Sequence, residues 1–134
     1  MDSGITVLVA EDQSSLLYCY QLGLKRAGFR TIAYDSAKDL MEHAGEADVL
    51  VVDAQLPSFP GLEGIVAVGQ LLESGQLSDR VPVIFISLLE KETPQCQQKL
   101  REAKLSDDRY VWLRKPFEVD LLVRRIHDEL TRRR

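Results

Sequence analysis

The stretch "VLVVDAQLPSFPG" (Val49 to Gly61) decides how the rest of the chain is read. Four apolar residues, three of them β-branched, suit a buried strand. The run then stops on a carboxylate, Asp53, and a segment holding Pro57, Pro60 and Gly61 follows. Such a run without polar alternation belongs to a strand covered on both faces, as in a parallel sheet. A charge closing a strand of that kind lies at the sheet's carboxyl edge, where open α/β sheets bind their ligands.

Strand-like runs recur on either side. They read "ITVLVA" (5–10), "RTIAY" (30–34), "DVLVV" (48–52), "PVIFI" (82–86) and "RYVWL" (109–113). Helical patterns fill the spaces at 14–27, 37–46, 62–74, 94–104 and 118–132. Ser36-Ala37-Lys38-Asp39 resembles a capping box, Gly28 supplies a helix stop, and Thr93-Pro94 supplies a cap followed by proline at the first helical position. In the last helix Val119, Leu122, Val123, Ile126 and Leu130 share one face. Five βα units without a linker, repeat or low-complexity segment predict one α/β domain over residues 1–134.

Composition narrows the function. The chain has 134 residues, 45% hydrophobic and 28% charged, enough for a core without disulfides or metal staples. A net charge of −4 argues against a nucleic-acid or anionic-membrane surface, and no apolar run is long enough to span a bilayer. Arg132, Arg133 and Arg134 read as a solvated helix end that complements the helix dipole. The polar N-terminus "MDSG" is no signal peptide, so a cytoplasmic protein with Cys19 and Cys96 as reduced thiols is expected. His43 and His127 read as ordinary surface residues.

The ends of the strands carry the chemistry. Glu11 and Asp12 follow the first, Asp53 the third and Ser87 the fourth, while the fifth runs into Arg114, Lys115 and Pro116. Three carboxylates on one edge repel one another, and a divalent cation relieves that repulsion. An all-oxygen donor set without His or Cys favours Mg2+. An aspartate can attack phosphorus to form an acyl phosphate, with Lys115 and the Ser87 hydroxyl set to neutralise phosphoryl oxygens.

In this order and spacing, "VLVAED" (7–12), "VLVVDAQLPSFPG" (49–61), "PVIFIS" (82–87) and "YVWLRKPF" (110–117) resemble the receiver domain of two-component response regulators over nearly the whole chain. The resemblance implies a flavodoxin-like doubly wound (βα)5 fold with strand order 2-1-3-4-5. Asp53 would accept a phosphoryl group from a sensor histidine kinase or a histidine phosphotransfer domain. Glu11, Asp12 and Asp53 would bind Mg2+ with the backbone carbonyl of Gln55. Ser87 and Lys115 match the switch hydroxyl and the lysine, Trp112 falls where a switch aromatic stands, and Lys115–Pro116 would be cis. Phosphorylation would reset the surface formed by the fourth helix, fifth strand and fifth helix toward a downstream effector. The domain would not be an enzyme beyond catalysing its own phosphorylation and dephosphorylation; neither nucleic acid nor membrane would be bound directly, and a homodimer is allowed.

Three departures stand out. Leu88 follows Ser87 where a small residue is usual, and its bulk would narrow the way to the phosphoryl site. The segment from Ser87 to Lys115 is long and lacks a glycine near "AKLSDD" (103–108), which puts the fourth helix in question. Trp112 offers an indole N–H in place of a phenol. These motivate an alternative, a pseudo-receiver that binds partners independently of phosphorylation. An aspartyl-nucleophile phosphatase would want an acid where Gln55 stands, and "EDQSSL" lacks the Ser, Thr and Gly loop that a flavin phosphate needs.

Overall fold

A computed structural model describes residues 3–56 and 61–132. Its five strands are β1 (Thr6–Ala10), β2 (Arg30–Tyr34), β3 (Val49–Asp53), β4 (Val83–Ser87) and β5 (Tyr110–Arg114). The helices are α1 (Ser14–Arg26), α2 (Ala37–His43), α3 (Glu63–Glu73), α4 (Pro94–Glu102) and α5 (Val119–Arg132). The strands form one parallel sheet in the order β2-β1-β3-β4-β5. This is the flavodoxin-like arrangement that the resemblance implies. The order reverses at β1, whose neighbours are β2 and β3, so the crevice for a ligand lies between the ends of β1 and β3.

β1, β3 and β4 are buried along their whole length, as their unbroken apolar runs require. Alternate residues feed two cores, because strand side chains point to opposite faces in turn. Leu8, Leu50, Val52 and Phe85 pack with Leu40 of α2, Ile65 and Val68 of α3, and Leu100 of α4. Val7, Val9, Val51 and Ile84 pack on the other face with Leu24 of α1 and with Leu122 and Ile126 of α5. Asp53 is thus backed by core on both sides.

Three strands extend one residue further than the sequence suggests. β3 includes Asp53, paired with Ile86, and β4 and β5 pair through Ser87 and Arg114. The ladder outlasts the apolar pattern because it depends on backbone groups, which a polar side chain does not disturb. The predicted second helix ends at His43 and tightens into a 3₁₀ turn over 44–46.

The caps behave as expected. Ser36 Oγ accepts from Asp39 N at 3.1 Å, and Thr93 Oγ1 accepts from Cys96 N at 3.4 Å. Gly28, at φ +95°, ends α1: its N–H donates to Lys25 O while Phe29 N–H donates to Leu24 O. The fourth helix forms despite the missing glycine. Lys104 takes φ +59° just past it and donates to Arg101 O, while Leu105 N–H donates to Leu100 O, the same pair of closing bonds with lysine in glycine's place.

Arg132 is an exposed basic residue in the last turn of α5, as read from the sequence, and it also pairs with the buried Glu129 at 2.8 Å and donates to Asp108 O at 3.4 Å. Arg133 and Arg134, like Pro57 and Pro60, lie outside the described residues. His127 is exposed with its ring near Phe29, and His43 stacks on Tyr34 while bonded to Glu46 at 2.6 Å. Both cysteines are free, Cys19 exposed and Cys96 buried. Among the described residues no helix is long and apolar enough to cross a membrane.

Candidate functional site

The ends of β1, β3, β4 and β5 bring the predicted residues to one place. Glu11 directly follows β1, with its backbone N–H tied to Tyr34 O at 3.0 Å. Asp53 closes β3, and the next amide, Ala54 N–H, continues the ladder to Ile86 O at 2.9 Å. Lys115 follows β5, where its N–H donates to Ser87 O at 2.7 Å. The Lys115–Pro116 peptide bond is cis.

Lys115 organises the acids. Its ammonium donates to Glu11 Oε1 at 2.5 Å and to Asp53 Oδ2 at 2.7 Å, and its side chain is only 8% exposed. The other carboxylate oxygens have backbone donors: Gln55 N–H to Asp53 Oδ1 at 2.9 Å, and Gln13 N–H to Glu11 Oε2 at 3.2 Å. Burial pushes the Glu11 carboxyl up to about 7; Lys115 pulls against that shift and the charge of Asp53 adds to it. Burial also works against the Lys115 ammonium, but bonds to Asp53 and Glu11 outweigh it and hold the group above its ordinary value.

Glu11, Asp12 and Asp53 can each offer one oxygen, all within 4.8 Å of one another. The set is all carboxylate, in keeping with a hard divalent cation that takes oxygen ligands. Fully ionised, three carboxylates against one ammonium leave two negative charges, which one such ion balances. These residues therefore fit Mg2+.

Ser87 is fully buried at the end of β4. Its hydroxyl accepts from Leu89 N–H at 3.0 Å and faces the Gln55 side chain, Oε1 at 3.5 Å. Trp112 is half-buried; its ring is tilted against Phe85 and its indole N–H donates to Leu89 O at 3.0 Å. Leu89 thus touches Ser87 through its amide and Trp112 through its carbonyl. Arg114 adds bonds to Leu88 O at 3.1 Å and to Glu90 Oε1 at 2.6 Å, so side chains of β5 hold three consecutive residues of the segment after β4. Leu88 is 60% exposed and borders a hollow of about 550 Å³ shared with Leu16, Tyr20, Lys115 and Phe117.

Sequence reasoning missed Gly64 and Tyr20, and it named Arg114 at the end of the fifth strand without giving it a role. A Cβ on Gly64 would lie 2.0 Å from the carbonyl oxygen of Asp53, so α3 seats directly on the end of β3 and only glycine fits there. The signal was present in a glycine inside the first turn of a helix that follows a strand. Arg114 and Tyr20 carry no comparable mark, since an arginine at a strand end and an aromatic on a helix have many uses.

Fold and acidic edge together define an α/β domain whose parallel sheet ends in a cluster of carboxylates, Glu11, Asp12 and Asp53, that could hold a metal ion. The chain matches the response regulator receiver domain over residues 7–127 and belongs to that family, the receiver domains of two-component systems. Solved structures agree in fold. The receiver domain of the Francisella response regulator 1452 superposes with a TM-score of 0.74 at 23% identity, covering 97% of this chain and 99% of its own. The chemotaxis response regulator CheY4 of Vibrio cholerae gives 0.74 at 20%, covering 94% and 98%. The BeF3-activated DrrB receiver domain gives 0.73 at 21%, covering 98% and 99%. No curated protein sequence matches the chain. Receiver domains are signalling domains rather than classical enzymes.

Proposed function

We propose that residues 1–134 work as a phosphoacceptor unit in which Asp53 takes a phosphoryl group from a phosphohistidine of a sensor kinase or phosphotransfer domain. The observation that carries this is the Lys115 ammonium set between Asp53 and Glu11, with the Ser87 hydroxyl at the adjoining strand end. An Asp53 oxygen attacks phosphorus, the P–N bond breaks, and the imidazole leaves with the bonding pair and takes up a proton. Lys115 moves its N–H bonds from the carboxylates to the new phosphoryl oxygens, and Ser87 donates to another.

Glu11, Asp12 and Asp53, with the Gln55 carbonyl, would hold Mg2+, which when bound supplies charge neutralisation for the phosphoryl oxygens. Drawing Ser87 toward the phosphoryl group pulls on Leu89 N–H, and Leu89 O carries the change to Trp112. That couples the site to the face of α4, β5 and α5, where an effector domain or protein, or a second copy of the chain, reads the state. The work is set in the cytoplasm, without nucleic acid or membrane.

Incubation with Mg2+ and a small acyl phosphate tests the reading. The wild type gains the mass of one phosphoryl group and Asp53→Asn gains none; a wild type that stays unlabelled beside a labelled control receiver refutes it. A phosphorylation-independent binding role predicts instead that Asp53→Asn keeps all partner binding.

A further inference from the structure

Lys115 has a long, flexible side chain, yet its ammonium sits between two carboxylates with little exposure. Something must hold the turn from which it springs. Pro116 and Phe117 follow it, and the Phe117 ring stacks on Tyr20 of α1, centroids 5.6 Å apart and planes within 1° of parallel. Tyr20 is 4% exposed. One helical turn on, α1 lies as close to the start of α5: a Cβ on Gly23 would fall 2.2 Å from Val119 Cγ1. Tyr20 and Gly23 share a helix face, so α1 is seated flush along the segment from Phe117 to Val119.

We propose that Tyr20 is a positioning residue for Lys115: its ring, stacked on Phe117, clamps the turn after β5 and closes the α1 side of the carboxylate site. Tyr20 lines the same hollow as Lys115 and Leu88. The ring does the clamping, through area and stacking, and the hydroxyl is dispensable. The inference rests on the proposed function only in assigning Lys115 to the working site.

The test measures acetylation of Lys115 by a succinimidyl acetate in metal-free buffer, followed by mass spectrometry. Released from Glu11 and Asp53, the amine is no longer shielded between them, becomes more accessible to the reagent and reacts faster. Tyr20→Ala and Phe117→Leu should each raise the Lys115 rate roughly two- to tenfold, the range an aromatic pair of ordinary strength sets. The double variant should exceed neither single one, and Tyr20→Phe should match wild type. Leu71→Ala, a cavity in α3 on the far side of the sheet, controls for lost stability and should leave Lys115 protected. An unchanged rate in Tyr20→Ala and Phe117→Leu overturns the proposal. So does an equal rise in Leu71→Ala, which reports loosening of the whole fold, or in Tyr20→Phe, which assigns the effect to the hydroxyl. Should Tyr20→Ala fail to fold, Phe117→Leu probes the same pair from the other side. Phosphoryl uptake is measured in parallel: an unlabelled wild type refutes the proposed function and leaves the Lys115 rates to decide the clamp.

Discussion

Replacing Glu11 with glutamine should stabilise the metal-free protein above neutral pH and make little difference in mild acid. Glu11 is fully buried, and its carboxyl is raised from 4.5 to about 7, first by burial. The folded state therefore holds this proton more tightly than the unfolded chain. Between those two values the folded state binds more protons, so stability contributed by this group is whole below 4.5, declines through the window and is lost above about 7. At about 1.4 kcal/mol per pH unit the full effect is roughly 3 kcal/mol. Lys115 has its own raised value, but what it contributes is lost only as pH climbs above the ordinary lysine range, outside this window. Glutamine at position 11 keeps an oxygen for Lys115, and the charge-assisted bond it gives up is already contained in the net raised value, which Lys115 pulls down. A stabilisation of roughly 3 kcal/mol at alkaline pH follows, or roughly 10 °C in Tm for a chain of this length. Urea unfolding in EDTA at about pH 5 and about pH 8, for both proteins, reads the difference between them and cancels what other carboxylates do. Equal pH slopes in wild type and Glu11→Gln would refute the reasoning.

Three further outcomes follow from the same geometry. Mg2+ should raise the unfolding midpoint of wild type more at about pH 8 than at about pH 5, because ligands must shed protons to bind it, and Glu11→Gln should lose most of that gain. Lys104→Gly should stabilise the protein by about 1 kcal/mol in urea unfolding, since Lys104 sits at φ +59°, where a Cβ is strained. Gly64→Ala should cost about 1–3 kcal/mol and shift the Gln55 amide resonance, because the new methyl would press on the Asp53 carbonyl.

What the sequence disclosed and what it hid divide along physical lines. Buried parallel strands advertise themselves as unbroken apolar runs, so β1, β3 and β4 stood out, and their polar terminators marked the edge where Glu11, Asp53 and Ser87 meet. Strand ends were less legible, because the backbone ladder runs on through Asp53, Ser87 and Arg114 after the apolar pattern has stopped. The sequence puts the fourth helix in question for want of a glycine, yet its closing hydrogen bonds use no side chain and Lys104 bears the strain. Pairings between distant residues left no local trace. Tyr20 meets Phe117, and Trp112 reaches Leu89, only because the sheet order sets β5 beside β4 and α1 against the turn after β5.

The burial of Lys115 bears on both the resting protein and the proposed phosphorylated one. Carboxylates as buried as Glu11 and Asp53 pay heavily for desolvation, and taking away their cation leaves uncompensated charge in the interior. The ammonium moderates this without ending it, since Glu11 is still held near neutrality. A lysine that fully satisfied its partners would make a closed, inert triad. Here the excess negative charge persists, so further positive charge is favoured at Asp12, the least buried of the three acids. Once a metal took over the carboxylates, Lys115 would be released from Glu11 and Asp53 toward an incoming phosphoryl group, already desolvated and needing only to turn. Pre-placement of that kind favours transfer only if the turn carrying Lys115 stays fixed while its partners change, and this is the part the stacked rings of Tyr20 and Phe117 are placed to play.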